Sequence, residues 1–389
     1  MTNQKQNHAV VFAGSPMTNL TLYHQIRFAV GDPTALIILP SESKPHRLLM
    51  IRNIEMDRAK KTARADEVVC PEDFKSKDWQ AGDRELETAQ SVAECLIQKN
   101  ITTITVDRTF PAIYSHSITK AGIQITCDPN LGVMDRRAKD PEELDHLRNA
   151  QKITENCMQM ACQTIAKATA DASGQLILEN QPLTSERMFQ LIDIYFLLNG
   201  AATPHGSIVA GGPIGADCHE RGQGPLYTGQ PVIIDLFPYI KSTHYHGDCT
   251  RCVVHGDIPD QVIKMHSAVI EAKAAAENAT KAGVTADSVH AAAIKVIKAH
   301  GYQTGIPDDD APDSTCSMVH GTGHGIGLDV HEPPLLDIGG PTLVQHDVLT
   351  IEPGLYSKAI GGIRIEDMVA VTKDGIENFN TLPTGLTWS

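Results

Sequence analysis

Two segments of this 389-residue sequence end an apolar run with an acidic residue, a pattern typical of a β-strand whose last side chain reaches a polar site. The run Gln-Pro-Val-Ile-Ile-Asp ends at Asp235, and His-Asp-Val-Leu-Thr-Ile-Glu ends at Glu352. A further acid follows each run, Asp248 in the first case and Glu366 in the second. The offsets between corresponding acids are 352 − 235 = 117 and 366 − 248 = 118 positions. These offsets indicate two halves of one fold that each give two carboxylates to a shared centre.

The sequence around these four acids favours their burial. An acid at a strand end usually faces water, but apolar neighbours on the same strand pull these inward. Burying a carboxylate without a partner is costly, and four carboxylates together repel one another. Two divalent cations carry a charge of +4, which balances four carboxylates at −4. We therefore predict a centre that binds two divalent metal ions.

A glycine-rich segment, His320-Gly-Thr-Gly-His324-Gly-Ile326-Gly, supplies the fifth predicted ligand. A dinucleotide-binding loop is the alternative interpretation, but Ile326 stands where the last glycine of that pattern belongs. Glycines let a backbone pass close to a ligand, and they would leave His324 free to face a metal. A histidine alone is usually an ordinary buried or exposed residue. With four acids expected nearby, His324 is predicted to be a metal ligand.

The elements that must position these residues follow from the apolar pattern. Short apolar runs and helix-compatible stretches alternate before residue 140, which predicts an α/β domain over residues 1–139. Asp140-Pro141-Glu142-Glu143 predicts a helix start with a capping box. Further helices are predicted over residues 184–198, 259–281 and 285–300, and segments of strand and turn over residues 348–356 and 363–371. We place a second domain over residues 140–389.

Composition narrows the classes of function. The net charge of −14 argues against nucleic-acid and anionic-membrane binding. No apolar stretch has the length of a signal peptide or a membrane span. With nine cysteines and no secretory signal, we expect reduced thiols and a cytoplasmic location. Cys249 and Cys252 form a CxxC, but no second pair completes a zinc site, and we interpret this stretch as a strand.

The motifs together resemble the pita-bread metallopeptidases, which include methionine aminopeptidases, aminopeptidase P and prolidase. The matching residues are Asp235, Asp248-x-Thr250-Arg251, His320-Gly-x-Gly-His324-Gly-Ile-Gly, Glu352-Pro353-Gly354 and Arg364-Ile365-Glu366-Asp367. The resemblance covers residues 140–389. Residues 51–69 also resemble part of the family's creatinase-type N-terminal domain, which favours the aminopeptidase P and prolidase branches. Together, the two resemblances imply an α/β creatinase-like domain followed by an α+β pita-bread catalytic domain.

The resemblance implies a role for each matching position. Asp235 would bind one metal through both oxygens, Asp248 and Glu366 would bridge two metals, and His324 and Glu352 would complete the other site. Glu352 would also move a proton to the leaving nitrogen. The remaining expected catalytic or substrate-contacting residues are His219, His320, His331 and Arg364.

The implied reaction is hydrolysis of the Xaa-Pro bond at the N-terminus of a peptide with proline at its second position, as in aminopeptidase P. A prolidase-type dipeptidase is the alternative, followed by a non-catalytic binding module and a metal-free creatinase-like amidinohydrolase. Mn²⁺ is the expected cofactor because the donors are hard, and Co²⁺, Zn²⁺ or Fe²⁺ could replace it. We also expect a homodimer.

One feature departs from the family pattern. Asp235 and Asp248 lie 248 − 235 = 13 positions apart, two more than is usual in the family, and Phe237-Pro238 stands where a glycine is usual. The extra residues fall within 241–246 and lengthen a hairpin beside the site. This change affects the expected ligands little, but it leaves the substrate preference open.

Overall fold

The computed structural model describes residues 7–75, 77, 79 and 82–388. The chain divides into two compact units, one through Arg136 and one from Arg137 onward. The predicted domain boundary between residues 139 and 140 stays a prediction. Each unit is described by itself.

The first unit is built on one mixed six-stranded sheet. Its strands are β1 (His8–Gly14), β2 (Thr34–Leu39), β3 (His46–Met50), β4 (Glu67–Val69), β5 (Thr103–Val106) and β6 (Gln124–Cys127). They lie in the order β4-β3-β2-β1-β5-β6, and the β1–β2 and β2–β3 pairs are antiparallel. The helices are α1 (Leu20–Ile26), α2 (Met56–Thr62), α3 (Arg84–Gln98), α4 (Ala112–Lys120) and α5 (Val133–Arg137). The alternation of strands and helices predicted for this part of the chain is confirmed.

Four long helices organise the second unit: α6 (Pro141–Ala166), α7 (Ser185–Leu198), α8 (Asp260–Ala279) and α9 (Ala286–Ala299). The predicted start of α6 is confirmed. The Asp140 side chain accepts from the Glu143 backbone N–H, and the Glu143 side chain accepts in return from the Asp140 N–H. Pro141 occupies the first helical position, where its missing N–H has no consequence.

The strands of the second unit form several short sheets. They are β7 (Thr169–Ala170), β8 (Leu176–Leu178), β9 (Gln181–Pro182), β10 (Ala201–Ala202), β11 (Ile208–Gly211), β12 (Pro231–Leu236), β13 (Tyr239–Ile240), β14 (Cys249–Val254), β15 (Gln303–Thr304), β16 (Ser317–Met318), β17 (Gly323–Gly325), β18 (Glu332–Leu336), β19 (Val348–Ile351), β20 (Gly354–Ser357), β21 (Gly361–Arg364), β22 (Asp367–Val371) and β23 (Ile376–Asn378). The sheet orders that concern the site are β11-β12-β14, β15-β16-β20-β21 and β18-β17-β19-β22-β23.

Two hydrophobic cores fill the second unit, and each combines residues of one helix pair with residues of strands. One core packs residues of α6 and α7 against Val232 and Ile234 of β12. The other packs residues of α8 and α9 against Leu349 and Ile351 of β19. Alternate residues of a strand point to opposite faces, so Ile233 of β12 lies in the α8–α9 core instead. Strands β12 and β14 therefore contribute to both cores.

Each predicted segment of strand and turn near the acids contains two strands. In the first segment, Glu352 and Pro353 separate β19 from β20. In the second segment, Ile365 and Glu366 separate β21 from β22. Proline has no N–H to continue a ladder, so the first interruption follows from the sequence. Both interruptions leave an acid at the break between two strands.

No helix among the described residues combines the length and apolar character that crossing a bilayer requires.

Candidate metal-binding site

The four predicted acidic ligands all lie at or beside the ends of strands. Asp235 lies near the end of β12, and Asp248 directly precedes the neighbouring strand β14. Glu352 follows β19, and Glu366 directly precedes the neighbouring strand β22. The same arrangement of two paired strands and two acids therefore occurs twice, as the offsets of 117 and 118 positions indicated.

His324 completes the group from the short strand β17. Its ring Nδ1 lies 3.1 Å from the Gly325 carbonyl oxygen. A carbonyl only accepts, so Nδ1 carries the hydrogen and Nε2 keeps a free lone pair. Nε2 lies 3.7 Å from Asp248 Oδ2 and 3.5 Å from Glu352 Oε1. Burial lowers the pKa of His324, which favours the neutral form that binds metals.

One group of candidate ligand atoms belongs to Asp248, His324 and Glu366, and these atoms all lie within 4.8 Å of one another. Asp235 and Glu352 line the same cavity, which has a volume of about 470 Å³. The other four predicted site residues, His219, His320, His331 and Arg364, line it too. The structure thus brings all nine predicted site residues to one cavity. Their individual roles stay predictions.

The electrostatics of this group fit bound cations. Asp248 and Glu366 are 3% and 2% exposed. Burial, and then the charge of Glu366, raises the pKa of Asp248 well above its usual range, and burial followed by the charge of Glu352 does the same for Glu366. Oδ1 of Asp235 is buried and has no hydrogen-bond partner among the described residues. Clustered carboxylates with an unused oxygen are the hard donors that divalent cations bind.

Hydrogen bonds from neighbouring residues fix several of these side chains. Thr250 donates to Oε2 of Glu366 at 2.7 Å, and Arg364 donates from Nη2 to Oδ2 of Asp235 at 2.7 Å. Arg364 also donates from Nη1 to the Tyr356 hydroxyl at 2.9 Å. Thr250 belongs to a motif that the sequence analysis quoted without giving it this role. Nothing in the sequence marked Tyr356.

The histidines around the cavity differ in their surroundings. His320 Nδ1 donates to the Gly321 carbonyl at 2.8 Å, so its Nε2 accepts from the Tyr356 hydroxyl at 2.7 Å. The ring of His331 meets the ring of His324 edge-on, with centroids 4.3 Å apart. His219 is exposed on the loop that follows a 3-10 helix at Gly212–Ala216. The histidines that line the cavity therefore include both buried and exposed side chains.

The glycines of the glycine-rich segment lie where neighbouring strands leave no space for a side chain. A Cβ on Gly323 would lie 2.0 Å from the Thr350 carbonyl oxygen, and one on Gly325 would lie 2.5 Å from the Glu332 carbonyl oxygen. These glycines let β17 pack closely between β18 and β19, and the expected close approach of the backbone to a ligand stays a prediction. Close strand packing still places His324 at the cavity.

The structure shows where the lengthened hairpin and the CxxC lie. Tyr239 and His246 form an isolated bridge in the hairpin, and the His246 N–H donates to the Gly327 carbonyl at 2.9 Å. The extra residues therefore pack beside the glycine-rich segment. Cys249 and Cys252 are fully buried free thiols of β14, which confirms that they belong to a strand.

The sequence from residue 145 to residue 373 matches the profile of metallopeptidase family M24. The chain belongs to metallopeptidase family M24. The match covers all five predicted metal ligands. Proteins of this family depend on metal ions, in agreement with the cluster of carboxylates and imidazole described above.

Three proteins similar to this M24 chain extend the comparison. An Xaa-Pro dipeptidase of Pyrococcus furiosus is 28% identical over 62% of this chain and 62% of that protein, so the alignment spans less than two thirds of the relative. An X-Pro aminopeptidase of Thermotoga maritima has a similar structure, with TM-score 0.76, 25% identity, and 97% of this chain and 96% of that chain covered. The prolidase of Pyrococcus horikoshii shares the fold, with TM-score 0.76, 22% identity, and 99% and 96% covered. The dipeptidase alternative agrees better with these relatives than the aminopeptidase that the sequence analysis placed first.

Proposed function

We propose that this chain is a metal-dependent dipeptidase that hydrolyses Xaa-Pro dipeptides. The observation that carries the proposal is one cavity of about 470 Å³ lined by all five predicted metal ligands and by the other four predicted site residues. A cavity of this size suits a small ligand. The dipeptidase and prolidase names of similar proteins support the substrate class.

The ligand set defines what the site can hold. Asp235, Asp248, His324, Glu352 and Glu366 would hold two divalent cations, and the predominance of carboxylates makes Mn²⁺ our first choice. When bound, such a pair supplies Lewis acidity toward the amide carbonyl and toward a water molecule. Arg364 keeps Asp235 oriented through its 2.7 Å hydrogen bond, and Thr250 does so for Glu366.

Side chains on the cavity wall would move the protons. Cleavage of an Xaa-Pro bond releases a secondary amine, which must be protonated as the C–N bond breaks. Glu352 is half-buried, and its Oε1 and Oε2 lie 3.5 Å from His324 Nε2 and 3.9 Å from Arg364 Nε, respectively. We assign Glu352 the transfer of a proton from the attacking water to the leaving nitrogen. His331, beside His324, would donate toward the carbonyl oxygen as charge develops there.

A proline after the scissile bond suits a site that acts on the amide carbonyl and does not need an amide N–H. An Xaa-Pro amide has no N–H, and the pyrrolidine ring fixes φ near about −65°. A peptidase that grips the N–H at this position cannot bind the substrate. A site that acts on the carbonyl needs only a wall for the ring, and we assign that wall to His219 and its loop. The acidic floor near Asp235 would receive the free amine of the first residue.

A substrate panel tests the proposal. With added Mn²⁺, Ala-Pro should be hydrolysed far faster than Ala-Ala, and N-acetyl-Ala-Pro should be resistant. Equal rates on Ala-Pro and Ala-Ala, or ready cleavage of the acetylated peptide, would reject a proline-directed dipeptidase.

An Xaa-Pro aminopeptidase is the second candidate. It is favoured by the likeness over 97% of this chain to the Thermotoga maritima X-Pro aminopeptidase. The tripeptide Ala-Pro-Ala separates the two functions. A dipeptidase should cut it much more slowly than Ala-Pro, whereas an aminopeptidase should cut it at least as fast.

Several finer assignments complete the proposal. We assign residues 1–139 to a creatinase-type domain and residues 140–389 to the pita-bread catalytic domain. A homodimer and a cytoplasmic location remain predictions from the sequence.

A further inference from the structure

The candidate site contains two arginines among its described lining residues, and their surroundings differ. Arg364 is 3% exposed, and all three of its guanidinium nitrogens are engaged. Its charge is opposed by Asp235 at 2.7 Å. These bonds use four of the five N–H donors of Arg364. Arg221 is exposed on the loop after the 3-10 helix and faces the same cavity.

The guanidinium group of Arg221 is held in place without being neutralised. Its Cζ lies 5.1 Å from the centroid of the Phe189 ring, and its Nε donates to the Ser207 carbonyl at 3.3 Å. A Cβ on Gly206 would lie 2.1 Å from its Nη2, so that glycine leaves space for the group. Neither terminal nitrogen forms a hydrogen bond or ion pair with a described residue. Arg221 thus presents its two terminal nitrogens, Nη1 and Nη2, as donors, and its neighbours hold the guanidinium group in this orientation.

A dipeptide carries a positive amine at one end and a negative carboxylate at the other, and the cavity is lined by side chains of both charges. The acids that would hold the cations, beginning with Asp235, line the cavity where we place the substrate amine. Arg221 is exposed and lines the same cavity, and its positive charge can match a negative one. A guanidinium binds a carboxylate through two parallel hydrogen bonds, which no neutral amide can accept in the same way.

The geometry points to Arg221 as the residue that binds the C-terminal carboxylate of a dipeptide substrate. This inference rests on the proposed function and deepens it. In an Xaa-Pro dipeptide the carboxylate belongs to the proline itself, one residue from the scissile bond, so it stays within the cavity. In a longer peptide the same position carries an uncharged amide, which leaves the Arg221 charge unmatched. Arg221 would therefore select dipeptides over longer peptides.

The test compares Ala-Pro with its C-terminal amide, Ala-Pro-NH₂, because the two differ only in the group that meets Arg221. A hydrogen bond to a charged group corresponds to a change of about 10- to 100-fold in binding. The unaltered protein should therefore show a kcat/KM about 10- to 100-fold higher for Ala-Pro. In Arg221→Gln this preference should vanish, mainly through a higher KM for Ala-Pro, while the rate on the amide changes little. Arg221→Lys should retain part of the preference, since it keeps the charge but not the two-pronged geometry.

Arg148→Gln is the matched control, because Arg148 also stacks on a phenylalanine ring, 5.3 Å from the Phe379 centroid, but does not line the cavity. It should keep the full preference for the free carboxylate. Equal rates of the unaltered protein on Ala-Pro and Ala-Pro-NH₂ would overturn the inference without any variant, and so would an undiminished preference in Arg221→Gln. If neither peptide is cut while other substrates are, the proposed function itself is wrong, which is a separate result.

Discussion

Arg364 donates from Nη2 to Oδ2 of Asp235 at 2.7 Å, while the other oxygen of Asp235 is buried and contacts no donor in the described chain. One oxygen is thus held by a fixed cation and the other is left for a ligand. The bond links β21 to β12 and so joins the two halves of the site. Asp235 is therefore oriented before any metal binds.

Replacing Arg364 tests how far this bond supports the fold. Arg364→Gln leaves Asp235 buried beside three other acids without its opposing charge. Breaking a buried ion pair from one side typically costs about 3–5 kcal/mol. We expect the free energy of unfolding of the metal-free protein to fall by about that amount in a urea titration. Arg148→Gln removes an exposed arginine and should cost less than about 1 kcal/mol, and similar losses in both variants would contradict the account.

The metal-free protein should lose stability as pH rises. The pKa values of Asp248 and Glu366 are raised in the folded state, so the folded chain holds protons that the unfolded chain releases above about pH 4. The contribution of these groups is complete below the unfolded pKa and is lost as pH rises through the folded pKa. In chelator, the melting temperature should therefore fall from acid toward neutral pH.

Asp248→Asn checks the origin of that pH dependence. The substitution removes one of the repelling charges, so the variant should show a weaker decline and a higher melting temperature than the unaltered protein in chelator at neutral pH. Added Mn²⁺ should reverse the ranking, because the variant lacks a ligand. A variant that behaves like the unaltered protein in chelator would show that the four acids do not repel one another.

The glycine-rich segment gives a prediction about packing. Gly323→Ala would place a methyl group 2.0 Å from the Thr350 carbonyl oxygen, which belongs to the backbone and cannot rotate away. Overpacking of this kind typically costs about 1–3 kcal/mol. We expect a lower melting temperature and weaker metal binding, because His324 is the next residue. Gly375→Ala, where nothing lies within 4 Å of the added Cβ, should match the unaltered protein in both measurements.

His331 should affect turnover more than metal content. Its ring contacts His324, but it lies outside the tight group formed by Asp248, His324 and Glu366. Losing one group that stabilises developing charge typically lowers kcat about 10²–10³-fold. His331→Ala should therefore retain the metal found in the unaltered protein by elemental analysis. Near-normal turnover with metal bound would mean that His331 has only a structural role.

The sequence predicted the site better than it predicted what surrounds the site. Asp235 and Glu352 were identifiable because apolar runs ending in acids recur at equal offsets, a signal that lies within each strand. Tyr356 was not identifiable, because its contacts with Arg364 and His320 depend on how β20 packs on its neighbours. The packing role of Gly323 against Thr350 was not identifiable for the same reason, since a glycine beside a ligand and a glycine beside another strand look alike in sequence.

Arg251 and Asp367 illustrate the same limit. The sequence motifs contained both residues without indicating that they pair. Arg251 is fully buried and donates from Nη2 to Oδ1 of Asp367 at 2.7 Å, across the junction of β14 and β22. Such long-range partners can be assigned only once the fold brings the strands together.

We expect Xaa-Pro hydrolysis to depend on metal bound by the five ligands. The most direct measurement is the rate of Ala-Pro hydrolysis by chelator-treated protein during titration with Mn²⁺, with bound metal counted in the same samples. We predict no hydrolysis before metal is added and full activity near about two ions per chain, as expected for a two-metal site. Undiminished hydrolysis by protein shown to hold no metal would contradict the account.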